Sequence, residues 1–142
     1  MPERQIARGL IDTSVLIDLE RIDRAALPAE LAISSITLAE LAAGPHATAD
    51  PAERARRQDR LQRTEATFDP LPFDAAGARA FARIYAAVAA AGRKARGARA
   101  VDLLIAATAL AAELPLYTSN PGDFKGLDGL LEIHTAVALS VP

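Results

Sequence analysis

The chain contains no cysteine and no tryptophan. Without cysteine there can be no disulfide framework, no thiolate chemistry and no cysteine-bound zinc. Its aromatic residues are two Tyr and four Phe, and they form no cluster on which the bases of a single strand would stack. Long hydrophobic runs are missing too. The longest uncharged ones, Ala86–Ala91 and Leu103–Ala112, fall well short of the roughly 20 residues a membrane span needs. No apolar core of a signal peptide follows Met1–Gln5, so the expectation is a cytoplasmic protein without membrane attachment. Neither sign of charge dominates: the net charge is −2, and any nucleic-acid contact must come from a local basic patch. No Gly-Lys-Ser/Thr phosphate loop occurs, which excludes an NTPase of that type.

What is present reads as a folded α/β chain. The 142 residues, 51% hydrophobic and 24% charged, have the size and balance of one globular domain spanning 1–142. Strands are expected at Ala7–Asp12, Glu30–Ile36, around Leu71 and Phe73, at Pro115–Thr118 and at Leu131–Thr135. Helices are expected at Val15–Leu19, from Thr37 to Ala43 before Gly44-Pro45, at Pro51–Phe68, from an Asp74 cap to about Gly92, and at Ala100–Glu113. The alternation predicts a three-layer sandwich: a mostly parallel five-stranded sheet with helices on both faces. Chemistry in such folds sits at the carboxyl ends of the strands.

Four carboxylates fall near that edge, and each also has a structural reading. Asp12 ends the first strand and can cap the following helix. Thr37-x-x-Glu40 has the form of a capping box. Asp102 is expected in the first turn of its helix, where the macrodipole favours an acid. Asp123 sits in a Pro-Gly turn. Together they say more. Two carboxylates about 4 Å apart repel by about 4 kcal/mol at an effective dielectric near 20, so converging acids must take up protons or hold a cation. An all-oxygen donor set suits Mg2+ or Mn2+.

The motifs around these acids resemble a known family. Leu10-Ile11-Asp12-Thr13-Ser14-Val15-Leu16-Ile17-Asp18 is similar to the opening of PIN domains, in particular VapC toxins of bacterial toxin–antitoxin pairs. Ser34 to Leu41, closed by Gly44, resembles their second motif, Asp102 to Ala109 the third, and Leu116 to Phe124 the fourth. The resemblance covers nearly the whole chain, in order. It implies a Mg2+-dependent endoribonuclease toxin with Asp12, Glu40, Asp102 and Asp123 as the acidic centre, Asp12 and Asp102 holding the metal, neutralised by a VapB-type antitoxin and typically homodimeric. It further implies that Thr13 or Ser14 hydrogen-bonds a metal-binding carboxylate or its water. One departure stands out: many PIN domains carry an acid where this chain has Asn120. Asn120 follows the fourth strand directly and is expected to point into the site; the fourth acid is either supplied by Asp123, if the Pro-Gly turn folds tightly enough, or missing.

Beside such a centre, Arg96 and Arg99 in the basic stretch before Asp102 are expected to contact the RNA backbone. The arginines between Arg54 and Arg63 read instead as a solvated helix face. Two other classes compete. A catalytically inactive PIN fold would act as a binding module, but all four acids are present. A phosphoryl-transfer domain of the dehalogenase kind would need a second Asp at the position of Ser14, and the response-regulator kind a late lysine, for which only Lys125 is available.

Overall fold

The computed structural model describes residues 5–93 and 97–140. In chain order the regular elements are β1 (Arg8–Ile11), α1 (Thr13–Ile17), β2 (Glu30–Ala32), α2 (Ser35–Ala43), α3 (Pro51–Thr67), α4 (Ala75–Ala90), α5 (Ala98–Ala111), β3 (Leu116–Thr118) and β4 (Ile133–Thr135). The strands lie in the order β2-β1-β3-β4, and every pairing is parallel.

Alternation along the strands divides the core in two. Leu10 of β1 and Leu116 of β3 pack on one face with Ala80, Ile84 and Val88 of α4 and Leu103, Ala106 and Ala107 of α5. Ile11 and Tyr117, one position on, pack on the opposite face with Val15 of α1 and Leu41 of α2. Because both faces are covered, the strands read as short continuous apolar runs rather than alternating ones. Alanines let α4 lie close along α5, and the buried residues of α4, Gly77, Ala80, Ile84 and Val88, recur at helical spacing. Both long helices before α5 are capped as their sequences demand. Asp50 accepts from the Glu53 amide at 3.3 Å and Asp74 from the Gly77 amide at 3.1 Å.

The sheet has four strands among the described residues, not five. The expected strand around Leu71 and Phe73 is a single parallel bridge between Ser34 and Leu71, with Ser35 N donating to Leu71 O and Leu71 N to Ile33 O. The partner segment turns into α2 at Ser35, and α3 ends only at Thr67, so the bridge has no extended neighbour to grow along. β2 is also shorter than expected, because Ser34 already serves as the N-cap of α2. No helix among the described residues is long and apolar enough to cross a membrane.

One glycine is required by packing. A Cβ on Gly9 would lie 2.5 Å from Tyr117 Cε1 and 3.1 Å from Pro28 Cγ. The Tyr117 ring is itself held by stacking on His134, with centroids 4.8 Å apart. Gly9→Ala is therefore expected to destabilise the fold by about 1–3 kcal/mol, the usual cost of overpacking. Chemical denaturation would measure it, and adding Tyr117→Leu should recover part of the loss.

Candidate active site at the carboxyl edge of the sheet

Asp12 leaves the end of β1 and is 5% exposed. Its amide donates to Tyr117 O, which locks it to β3. Its Oδ1 accepts from the Val15 amide at 3.0 Å and from Ser14 Oγ at 2.6 Å, making it the N-cap of α1. Capping and a place in the site are thus the same geometry: Oδ1 secures the helix, and Oδ2 has no hydrogen-bond partner among the described residues. Ser14 Oγ also accepts from the Ser119 amide at 3.2 Å, joining the ends of β1 and β3.

Glu40 arrives from α2. The capping box expected at Thr37-x-x-Glu40 is not formed. Ser34, in extended conformation, is the N-cap, and its Oγ accepts from the Thr37 amide at 3.1 Å. The helix therefore starts earlier, and Glu40 stands beyond its first turn. Its Oε1 instead accepts from Thr13 Oγ1 at 2.6 Å. Thr13 Oγ1 also lies 3.0 Å from the hydroxyl of Thr37, a side chain with no exposed surface. Thr37 was not singled out by its sequence position, since it read as the start of a helix.

Asp102 is the fifth residue of α5, so the first turn carries no acid and the helix-end explanation for it lapses. Burial pushes its carboxyl up to about 6, and the charges of Asp123, Asp12 and Glu40 add to the rise in that order, while Arg99 opposes it. The charges of the other three acids thus reach Asp102. Asp123 lies in a 3-10 turn, Pro121–Phe124, whose Phe124 is driven into the core. Arg99 Nη1 donates to the Asp123 carbonyl at 2.9 Å and ties that turn to α5. Arg99 thus has a partner within the chain, whereas Arg96 lies outside the described residues. Asn120 is exposed, and its amide N donates to Thr118 Oγ1 at 3.0 Å. Its side chain makes no hydrogen bond among the described residues. Asp123 is half-buried, and among the charged neighbours it bears most on Asp102.

The donor set is all oxygen, yet among the described residues no three Asp, Glu or His side chains are gathered closely enough to hold one ion. That arrangement fits a hard cation that keeps several waters and rests on one or two carboxylates, not a closed protein cage. A cavity of about 670 Å³ lined by Gln5, Arg24, Tyr117 and His134 lies apart and includes none of the acids.

The Asp102 shift makes a stability prediction. Its carboxyl titrates higher in the fold, at about 6, than its ordinary 3.8. Between those values the folded chain holds the extra proton, so stability falls as pH rises through that window and the loss is complete above it. Without metal, Asp102→Asn should melt a few degrees above the parent at pH 7.5. The difference should shrink toward zero near pH 4. Thermal unfolding across that range checks it.

Comparison with known proteins gives a consistent picture. A family model described as PIN domain matches residues 9–130. The chain is 38% identical over 131 residues to Ribonuclease VapC5 of Mycobacterium tuberculosis, covering 90% of this chain and 93% of that protein. It is 40% identical over 110 residues to Ribonuclease VapC8 of the same species, covering 77% of this chain and 96% of the relative. The crystal structure of VapBC-5, a member of the VapBC family of toxin-antitoxin systems from Mycobacterium tuberculosis, superposes with a TM-score of 0.78 at 38% identity over 91% of this chain and 97% of that one.

Proposed function

The chain belongs to the PIN domain family, and from that premise we propose that it is a metal-dependent endoribonuclease, the toxin of a toxin–antitoxin pair. The observation that carries the reading is that Ser14 and Thr13 hold the Asp12 and Glu40 carboxylates where β1 ends, with the charges of Asp123, Asp12 and Glu40 all reaching Asp102. Similarity to two proteins named ribonucleases supports RNA as the substrate. Similarity to a toxin–antitoxin complex supports a VapB-type antitoxin as the partner.

In this proposal Asp12 and Asp102 hold Mg2+, or Mn2+ in its place, and Glu40 and Asp123 complete the acidic centre. A divalent ion there supplies Lewis acidity toward a phosphodiester and makes water a better nucleophile at neutral pH. Ser14 fixes one oxygen of Asp12 and Thr13 one oxygen of Glu40, so each acid presents its other oxygen to the cleft. Arg99 keeps the Asp123 turn in place and, with Arg96, supplies positive charge for an RNA backbone that four acids alone would repel. Exposed apolar side chains, Ile17 at the end of α1 and Tyr85 on α4, offer contact area for the antitoxin and for a second copy of the chain in a homodimer. The setting is cytoplasmic, where RNA and antitoxin are both at hand.

The test is cleavage of structured RNA by the purified chain with magnesium, with and without the cognate antitoxin. Internal cuts that the antitoxin suppresses are expected. An intact protein that binds RNA but leaves it uncut would make the chain a binding module instead.

The fourth motif gives a finer expectation. With Asp123 half-buried beside Asp102 and Asn120 exposed, Asp123→Ala should lower cleavage by roughly 10–100-fold, the usual cost of losing a supporting group at a metal site. Asn120→Ala should cost less. A magnesium titration of both variants on one RNA measures the order, and equal losses would contradict it.

A further inference from the structure

We infer that Thr37 is a positioning residue for cleavage: its buried hydroxyl directs the Thr13 proton onto Glu40. Proton counting gives the direction. Thr13 Oγ1 stands 2.6 Å from Glu40 Oε1 and 3.0 Å from Thr37 Oγ1. A hydroxyl has one proton to donate, and a carboxylate can only accept. The Thr13 proton therefore goes to Glu40, and the second contact is satisfied when Thr37 donates to Thr13. The chain of donors runs from Thr37 to Thr13 to Glu40.

Its anchor is rigid and its end is not. Thr37 has no exposed surface, and its amide is held by the Ser34 cap at 3.1 Å. Among the described residues its hydroxyl has no other partner. Glu40 is exposed on α2, and a glutamate there has three rotatable bonds to lose before it can present one oxygen to a reacting centre. The two threonines restrict that freedom across three elements of the sequence: the start of α1, the first turn of α2 and its second turn. Thr13 is further set by α1, whose cap is Asp12 itself, so the orientation of Glu40 is referred to the same strand end that carries Asp12.

The inference rests on the proposed role of Glu40 in RNA cleavage, and the experiment separates the two. The variants are Thr37→Val, which keeps the shape and removes the hydroxyl, Thr37→Ser, Thr13→Val, Glu40→Gln, and the double variant Thr37→Val with Thr13→Val. For each, kcat and KM for RNA cleavage and the thermal unfolding midpoint are measured. Thr37→Val is expected to lower kcat about 10-fold or more with KM little changed, as for loss of a group that orients a metal-site ligand. Thr37→Ser should restore most of the rate, and the double variant should be no slower than Thr13→Val alone. In metal-free protein, NMR should show the Thr37 hydroxyl proton protected from exchange, and Thr13→Val should abolish that protection. Should Thr37→Val fail to fold, Thr13→Val and Thr37→Ser carry the kinetic comparison. Full activity of Thr37→Val alongside a damaged Glu40→Gln would overturn the role of Thr37 alone. Full activity of Glu40→Gln would overturn the role of Glu40 and, with it, that of Thr37.

Discussion

Asp12→Asn and Asp102→Asn are each expected to lower RNA cleavage by about 10³-fold or more while the protein stays folded. At position 12 the amide oxygen of Asn can take the place of Oδ1, still accepting from Val15 N and Ser14 Oγ. Asn caps a helix about as well as Asp. What disappears is the charge. At position 102 the substitution removes the carboxylate on which the other three acids bear, so folding is relieved rather than harmed. Metal assistance to phosphodiester hydrolysis is worth several kcal/mol of charge stabilisation, and about 4 kcal/mol corresponds to about 10³-fold in rate. Single-turnover cleavage rates, read alongside thermal unfolding, decide the matter. A folded Asp12→Asn with near-parental activity would reduce Asp12 to a helix cap. An unfolded one would show that the charge itself sustains the cap.

Withdrawal of divalent metal should have the other large effect, bringing cleavage to background in EDTA and restoring it with Mg2+ or Mn2+. Calcium should serve poorly, since its larger and looser coordination leaves the reacting groups less well placed. The metal-free chain should nevertheless remain folded, since its two apolar clusters need no cation, and at lower pH Asp102, whose carboxyl burial and its neighbours raise to about 6, takes up a proton. That same proton competes with the cation. Apparent magnesium affinity should therefore weaken as pH falls below about 6 and level off above it. Calorimetric titration of magnesium at several pH values, with the cleavage assay beside it, measures both. Undiminished cleavage in EDTA would rule out the proposed centre.

The Asp102→Asn substitution links the two expectations. It should abolish cleavage yet raise the melting point of the metal-free protein at neutral pH. A residue kept for stability would lose both together. Opposite signs mark a charge held in an unfavourable place, as active-site groups often are.

Much of the local structure was legible from residue order. The Asp74 cap, the helix opening at Pro51 and the short apolar runs of β1 and β3 are short-range signals, and the observed elements follow them within a few residues. The misreadings trace to the start of α2. The bridge at Leu71 stays single because its partner segment turns into α2 at Ser35. Ser34 and Thr37 are both good caps, and propensity alone does not rank them. The closing of β2 against β1 places Ser34 at the end of the strand, and the helix starts there.

The sequence by itself therefore determined an α/β chain with parallel strands, the four acids and the motif order that resembles PIN domains. It did so because periodicity, capping and turn chemistry act over a few residues. Only the tertiary structure decided which side chains meet. Burial of Phe124 and the Arg99 contact fix the turn from which the charge of Asp123 bears on Asp102. The fold brings Thr13, at the start of α1, within hydrogen-bond reach of both Thr37 and Glu40 of α2. These contacts join segments far apart in the chain, and their geometry comes from packing helices on both faces of one sheet, which no local pattern encodes.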